Sequence, residues 1–327
     1  MLKKNFILVT GGAGYIGAKV VTDLVNQNKN VIVIDDLSKG KIQLVNKKAK
    51  FFKGNFADLR LLNKLFIKHK ILSVMHFAAS ISVPESEIFK KKYLRNNYIN
   101  TKILLNFCIK TKVKNFIFSS TCAVYGDSAG KVNENTKQDP TSTYGVSKKL
   151  AEREIISQCK NNKINYCILR YFNVAGADIK NKIGIFGKTE KLINKIAKSI
   201  IRKKYKIDVY GNNHETKDGT CIRDYIYISD ISKIHISCLK LIDRTSKSYI
   251  FNCGYGKGYS VLDIISKFEK KIKKKFIIRF KRKRKSDISQ IIADNNKIKK
   301  FLKIKFSKNS MNKILNSSIQ WEKYIAK

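Results

Sequence analysis

Tyr144 and Lys148 place a phenol and an ammonium four positions apart, in the stretch Tyr144-Gly145-Val146-Ser147-Lys148-Lys149-Leu150-Ala151-Glu152. On a helix that spacing puts both on one face, where the cation can hold the phenol near ionisation and make it a proton acceptor. Exposed helices carry such a pair by chance, so its meaning depends on what surrounds it. Upstream, Ser119-Ser120-Thr121-Cys122-Ala123-Val124-Tyr125-Gly126 follows the strand-like run Asn115 to Phe118. Hydroxyls at a strand's carboxyl end suit hydrogen bonding to a substrate oxygen, although a hydroxyl-rich turn would read the same way. Thr121, Tyr144 and Lys148 together offer a phenolic base, a cation that lowers its pKa and a hydroxyl that positions the proton. An unperturbed Tyr titrates near pH 10, and lowering that by about three units takes roughly 4 kcal/mol of preferential stabilisation of the phenolate.

Near the start of the chain, the apolar run Phe6 to Val9 leads into Thr10-Gly11-Gly12-Ala13-Gly14-Tyr15-Ile16-Gly17 and then a helical pattern through Val20, Val21, Leu24 and Val25. Gly11, Gly14 and Gly17 form GxxGxxG in a strand-turn-helix context, which lets backbone approach a pyrophosphate at a helix N-terminus. A second apolar run, Val31 to Ile34, ends in Asp35-Asp36. A carboxylate at Asp35 can accept from adenosine ribose hydroxyls and repels a 2′-phosphate, which favours NAD over NADP.

Further strand-like runs occur at Ser73 to Phe77, Asn115 to Phe118 and Cys167 to Tyr171, with helical stretches between them. This alternation predicts an α/β fold: a doubly wound parallel sheet of the Rossmann type with ligands at the strands' carboxyl ends. After about Asn173 the alternation loosens. We expect a dinucleotide-binding domain over 1–173 and, over 174–327, a smaller α/β substrate lobe, some segments of which return to the first domain.

At 327 residues and 43% hydrophobic content the chain can bury a large core. Its net charge of +44 would ordinarily indicate a nucleic acid or anionic membrane partner. Lys greatly outnumbers Arg, however, and the prolines are only Pro84 and Pro140, so the whole composition is skewed and no specific nucleic acid is expected. The densest basic run, Lys270 to Lys285, reads as a helix end entering a strand. Seven cysteines without a CxxC pair read as reduced, mostly buried residues of a cytoplasmic protein. His69, His76, His214 and His235 lack ligand spacing, so no metal is expected. No apolar run reaches membrane-spanning length, and Phe6 to Val9 is too short for a signal sequence.

Across essentially its whole length the sequence resembles the extended short-chain dehydrogenase/reductases, and within them the UDP-glucose (UDP-galactose) 4-epimerases. The glycine loop, His76-Phe77-Ala78-Ala79, the Ser/Thr strand end and YxxxK are shared widely in that family. Arg170-Tyr171-Phe172-Asn173-Val174-Ala175-Gly176-Ala177 is more specific, and Asp218-Gly219-Thr220-Cys221-Ile222-Arg223-Asp224-Tyr225-Ile226 most of all. The resemblance implies that Tyr144 is the acid and base, Lys148 its partner and Thr121 the hydroxyl that assists. It implies NAD held by Gly11, Gly14, Tyr15, Ile16, Gly17 and Asp35, with Asn55, Phe56, Phe77, Ala78, Ala79, Asn97, Tyr144, Lys148 and Phe172 completing the pocket. Thr121, Tyr144, Asn173, Leu192, Tyr210, Arg223, Arg284 and Asp287 fall where the family holds the UDP-sugar. Arg offers a planar fork for diphosphate oxygens and Asp can accept from ribose hydroxyls. The implied reaction interconverts UDP-glucose and UDP-galactose through a 4-keto sugar, in a homodimer that pairs helices around Tyr93 to Cys108 and Ser147 to Cys159.

Several positions depart from the family pattern. Asn55 stands where a carboxylate is common, Lys191 falls in the segment expected to hold uracil, Ser286 replaces a Gly, and Ile291 leaves open whether N-acetylated sugars fit. Rivals on the same fold are a 4,6-dehydratase and UDP-glucuronate or UDP-N-acetylhexosamine 4-epimerases. A dehydratase needs an acid/base pair just after the strand-end Thr, where this chain has Cys122 and Ala123. The alternative of another class is a non-catalytic NAD-binding module associated with nucleic acid, which has no use for Tyr144, Lys148 and Thr121 together.

Overall fold

The computed structural model describes residues 4–127, 130–187, 191–284 and 287–327. The strands are β1 (Asn5–Thr10), β2 (Asn30–Asp35), β3 (Lys50–Lys53), β4 (Lys70–His76), β5 (Asn115–Thr121), β6 (Gly130–Val132), β7 (Asn165–Tyr171), β8 (Asn173–Ala175), β9 (Lys206–Tyr210), β10 (Ile222–Tyr227), β11 (Tyr249–Cys253), β12 (Gly258–Ser260), β13 (Ile277–Lys281) and β14 (Gln290–Ala293). The helices are α1 (Tyr15–Asn26), α2 (Leu59–Lys68), α3 (Val83–Ile88), α4 (Lys90–Leu94), α5 (Asn100–Lys110), α6 (Thr143–Asn161), α7 (Leu192–Ile201), α8 (Ile228–Thr245), α9 (Val261–Ile272), α10 (Asn296–Leu302) and α11 (Ser310–Ile325).

Among the described residues the main sheet has seven strands in the order β11-β7-β5-β4-β1-β2-β3, all parallel. Parallel strands buried on both faces need unbroken apolar runs, and β1, β2 and the middle of β5 supply them. One face packs Ile7, Val9, Val31 and Val33 against α1 and α8, the other Leu8, Ile32, Phe116 and Phe118 against α2, α5 and α6. The order reverses between β1 and β4, and at such a switch point the loops leaving the carboxyl ends part to form a cleft.

The chain crosses between sheets in both directions. From beyond Asn173, α8 covers the main sheet and β11 extends it beside β7. In the opposite direction β6 leaves the first segment to pair with β14 in a second sheet ordered β12-β10-β14-β6, with β8 also on β10. A separate ribbon pairs β13 with β9 in parallel. In the lysine-rich stretch, α9 ends at Ile272 and β13 begins at Ile277, so the apolar residues enter a strand and the lysines remain around it. The described residues contain no helix long and apolar enough to cross a membrane.

Candidate active site

The glycine loop is shaped by steric necessity. Gly11 has φ of +71°, and a Cβ there would lie 2.6 Å from the backbone nitrogen of Ala78, at the exit of β4. Such a contact cannot be relieved without moving one of two strand ends, so only Gly fits. A Cβ at Gly17 would lie 2.2 Å from the Gly11 carbonyl oxygen, which closes the first turn of α1 against the loop. Gly14 caps α1 with no side-chain bond, leaving backbone N–H groups for an anion. The Asp35 carboxylate accepts from the backbone nitrogens of Ala13 (3.0 Å) and Leu37 (2.9 Å) and so ties the loop to the end of β2. Burial raises its pKa, and these two donors oppose the rise. A bare backbone cradle beside a carboxylate fits a dinucleotide with free ribose hydroxyls. Gly11→Ala is expected to abolish dinucleotide retention, measured by absorbance and fluorescence of the purified protein, while far-UV circular dichroism stays near wild type.

Other residues expected around this cradle differ in what their side chains touch. Tyr15 opens α1 and its hydroxyl donates to the Gly176 carbonyl at 2.6 Å; Ile16, next in that turn, is partly buried against the core. Phe77 is partly buried against His235, with ring centroids 4.7 Å apart, and Ala79 is partly buried next to Ala78. The Asn55 side chain is exposed and accepts from the Ala57 nitrogen at 2.8 Å in a local turn. Phe56 is buried 4.7 Å from the His76 ring, and Phe172 is buried with Val124 and Ile291, so both rings belong to the core. Asn97 sits in a π-helical turn over Arg95–Ile99; its amide accepts from the Ser80 nitrogen (2.8 Å) and donates to the Ser80 carbonyl (2.9 Å) and to Ser147 Oγ (3.1 Å). That side chain fastens the loop after β4 to α6.

Ser142 caps α6 through the Gly145 nitrogen at 3.1 Å, and the helix then aligns Tyr144, Lys148 and Glu152 on one face by their fourfold spacing. The Tyr144 hydroxyl meets Thr121 at the end of β5. Burial raises the phenol above its ordinary value, and the Thr121 hydroxyl pulls it back only in part. Lys148 is 2% exposed; its Nζ donates to the Ser119 carbonyl at 2.8 Å and lies 4.5 Å from the centre of the Phe118 ring. Burial pushes this ammonium down to about 7, against the upward pull of Glu152. The sequence leads one to expect that Lys148 holds the phenol near ionisation; in this structure desolvation moves both groups towards their neutral forms.

Glu152 is the residue that sequence reasoning passed over, and its signal was present as the next step of the same spacing. Its carboxylate accepts from Arg170 Nη2 (2.7 Å) and Nε, from Gln138 Nε2 (2.6 Å) and from the Ser120 hydroxyl. Arg170 also donates to the Tyr125 hydroxyl at 2.8 Å, which in turn donates to Asn252 Oδ1 at 2.6 Å. This buried network joins β5, α6, β7 and β11 beneath Lys148. Removing one partner of a buried ion pair costs about 3–5 kcal/mol because the other charge is left uncompensated. Glu152→Ala is therefore expected to lower the urea midpoint sharply without altering the slope.

On the other wall of the cleft, Arg284 lies 3.9 Å over the Tyr210 ring, and the Asp287 nitrogen donates to the Arg284 carbonyl at 3.1 Å. Arg223 and Asp287 both act on His214 and Cys221, while Arg223 also acts on Cys122, the neighbour of Thr121. Arg284 and Asp287 thus meet beside Tyr210, while the Arg223 guanidinium donates to the Ile222 carbonyl at 2.9 Å and its charge is felt at Cys122. Asn173 opens β8 and pairs with Tyr225, and Leu192 opens α7. Ile291 is buried and pairs with Arg223 in the second sheet. Ser286 and Glu190 lie outside the described residues. Next to Arg223, Asp224 is fully buried and accepts from the backbone nitrogens of Tyr255 (2.9 Å) and Gly256 (2.8 Å); burial still raises it to about 6.

A seven-stranded doubly wound sheet, a backbone cradle at its switch point and a phenol facing a strand-end hydroxyl define a dinucleotide-dependent oxidoreductive enzyme of the Rossmann class. Residues 7–254 match the NAD dependent epimerase/dehydratase family, and the chain belongs to that family. It is 34% identical to a UDP-glucose 4-epimerase of Azospirillum brasilense, over 97% of this chain and 92% of that enzyme. Its fold superposes with a TM-score of 0.91 on a UDP-glucose 4-epimerase of Bifidobacterium longum crystallised with NAD+ and UDP, at 31% identity over 98% of each chain. A UDP-Glc/GlcNAc 4-epimerase of Campylobacter jejuni gives a TM-score of 0.83 at 35% identity, over 98% of this chain and 99% of that one.

Proposed function

We infer that the protein is an NAD-dependent epimerase that interconverts UDP-glucose and UDP-galactose by transient oxidation at C4 of the sugar. The observation that carries this reading is that α6 sets Tyr144 and Lys148 on one face at the end of β5, where Lys148 Nζ donates to the Ser119 carbonyl at 2.8 Å and Tyr144 meets Thr121. NAD, when bound, supplies a hydride acceptor and a positive ring charge in the cleft. Tyr144 takes the proton of the 4-hydroxyl as the C4 hydrogen leaves with its electron pair, so that the C4–O bond becomes a carbonyl. The same phenol returns the proton when the hydrogen comes back on the other face. Thr121 orients that proton, and Lys148, held by the Ser119 carbonyl, is the cation that lowers the phenol when protonated. Arg223, Arg284 and Asp287, with Tyr210, Asn173 and Leu192, hold the UDP; Gly11, Gly14, Tyr15, Gly17 and Asp35 hold the dinucleotide.

The domain division at about Asn173 belongs to the same reading, qualified by the strands that exchange across it. Exposed Ile99 before α5 and Val146 on α6 support a homodimer through these helices, which a monomeric mass in solution would refute. The free cysteines support a cytoplasmic setting.

Incubation of the purified protein with UDP-galactose, without added NAD, should yield UDP-glucose. A 4-keto-6-deoxy product would overturn the reading, as would absence of turnover with any nucleotide sugar combined with tight RNA binding at physiological salt. Turnover of UDP-N-acetylhexosamines is the second reading; the packing of Ile291 beside Arg223 makes that residue the one to vary.

A further inference from the structure

The first turn of α6 carries Tyr144, and most of its free N–H groups are satisfied from another part of the chain. A helix leaves its first N–H donors without intrahelical acceptors, and a single capping side chain cannot serve them all. Here the Ser142 hydroxyl accepts from the Gly145 nitrogen at 3.1 Å, which leaves the nitrogens of Thr143 and Tyr144. Both turn to α3. The Thr143 nitrogen donates to Glu87 Oε1 at 2.8 Å and the Tyr144 nitrogen to Ser86 Oγ at 3.1 Å, although 56 and 58 positions separate the partners. Ser86 is fully buried, and its own proton goes to the Val83 carbonyl at 2.7 Å in preference to Glu87 Oε1 at 3.2 Å, so a lone pair of the hydroxyl faces Tyr144. The Glu87 carboxyl is held below its ordinary value chiefly by the Thr143 N–H, as expected of an anion at a helix N-terminus. The same turn also meets the exit of β5: a Cβ at Gly145 would lie 2.6 Å from the Ala123 carbonyl oxygen and 2.8 Å from Pro140 Cβ. α3 in turn follows the loop after β4, which Asn97 fastens at Ser80 and the Tyr93 hydroxyl holds by accepting from the Ser82 nitrogen at 3.0 Å.

We propose that Ser86 and Glu87 are positioning residues for the acid/base chemistry, a cap that α3 lends to α6 and that sets where the Tyr144 phenol stands against Thr121 and the sugar. This rests on the reading of Tyr144 as the group that moves the proton at C4. A misplacement of about 1 Å at a reacting group costs about a hundredfold in rate. Wild type, Ser86→Ala, Glu87→Ala and Glu87→Gln are to be compared in epimerisation of UDP-galactose, UDP affinity, retained dinucleotide, and amide hydrogen exchange along α6. Ser86→Ala should lower kcat by about tenfold or more, the effect of a buried N–H left without an acceptor, with KM, UDP affinity and dinucleotide content within twofold of wild type. Its Tyr144 amide should exchange about tenfold faster, while that of Lys148, one turn further on, keeps its protection. Glu87→Ala should do the same at Thr143, and Glu87→Gln, whose amide oxygen still accepts, should regain most of the loss. In a Tyr144→Phe background Ser86→Ala should cost nothing further, because a positioning residue has no effect once the atom it positions is gone. A kcat within twofold of wild type in both alanine variants would overturn the proposal. So would a loss carried by KM or by dinucleotide content, or one that multiplies with that of Tyr144→Phe, because α3 would then act on binding or on the fold at large. If the wild-type protein epimerises no nucleotide sugar, the proposed reaction fails, and the exchange measurement still decides the cap: an unchanged Tyr144 amide in Ser86→Ala overturns it.

Discussion

Tyr144→Phe protein should retain its dinucleotide and its affinity for UDP while turnover of UDP-galactose falls by about 10²–10⁴-fold, the contribution of a positioned acid/base group. The substitution removes one oxygen and preserves the ring, so the packing of α6 against β5 survives. What disappears is the atom that faces Thr121. The pH profile should separate this from a structural effect. Wild-type kcat should rise with pH as the phenol ionises, from a phenol that burial holds above its ordinary value in the cofactor-free protein. In Tyr144→Phe the residual rate should be flat. Turnover within tenfold of wild type would remove Tyr144 from the proton transfer.

Lys148→Met should combine a comparable loss of turnover with a gain in stability of the cofactor-free protein. The wild-type ammonium titrates near 7 in the folded state and at 10.5 when free, so between these values the unfolded chain binds the proton that the folded chain has released. Stability of the wild type attributable to this group therefore rises with pH across that window. The penalty for burying the cation is complete below pH 7 and gone above pH 10.5. Thermal melts at pH 6 should place Lys148→Met above wild type by about 5 °C, and the gap should close towards pH 10. A gap that is absent at pH 6 would mean that the ammonium is better solvated than its 2% exposure implies.

The main sheet was legible because its strands are apolar runs bounded by Gly, Asp or hydroxyl residues, as around Val9 and Ile34. Short strands were not: β6, β8 and β12 have three residues each, too few to show a period, and their partners lie far along the chain. Lysines at both ends of Lys50–Lys53 hide a strand whose middle is two phenylalanines. Within the site, spacing revealed the face that carries Tyr144 and Lys148, and the same spacing continued unread to Glu152. Its partner Arg170 comes from β7, and no local pattern joins a helix to a strand beyond it. Motif position placed Phe56 and Phe172 at the cofactor pocket but did not show that both rings are also buried in the core. Desolvation was also invisible in the sequence, which offered Lys148 as a cation where the fold gives it a pKa of about 7.

The loop between β8 and α7 is clamped from two sides. Tyr15 and Lys19 of α1 hold Gly176 and Asp178, while Ser317 of α11 accepts from the Ala177 nitrogen and Trp321 donates to the Ile185 carbonyl and covers Gly184. One jaw of that clamp is translated before the loop and the other well after it. During synthesis β1 to β7 can assemble as each helix returns the chain to the sheet, with β11 following much later. Until α11 leaves the ribosome, a nascent chain can carry the dinucleotide loop and Tyr144, but the segment leading to Lys191 and Leu192 is held from one side only. Capacity for the dinucleotide should consequently arise earlier in biogenesis than affinity for UDP, and a chain ending before Ser317 should stop between the two.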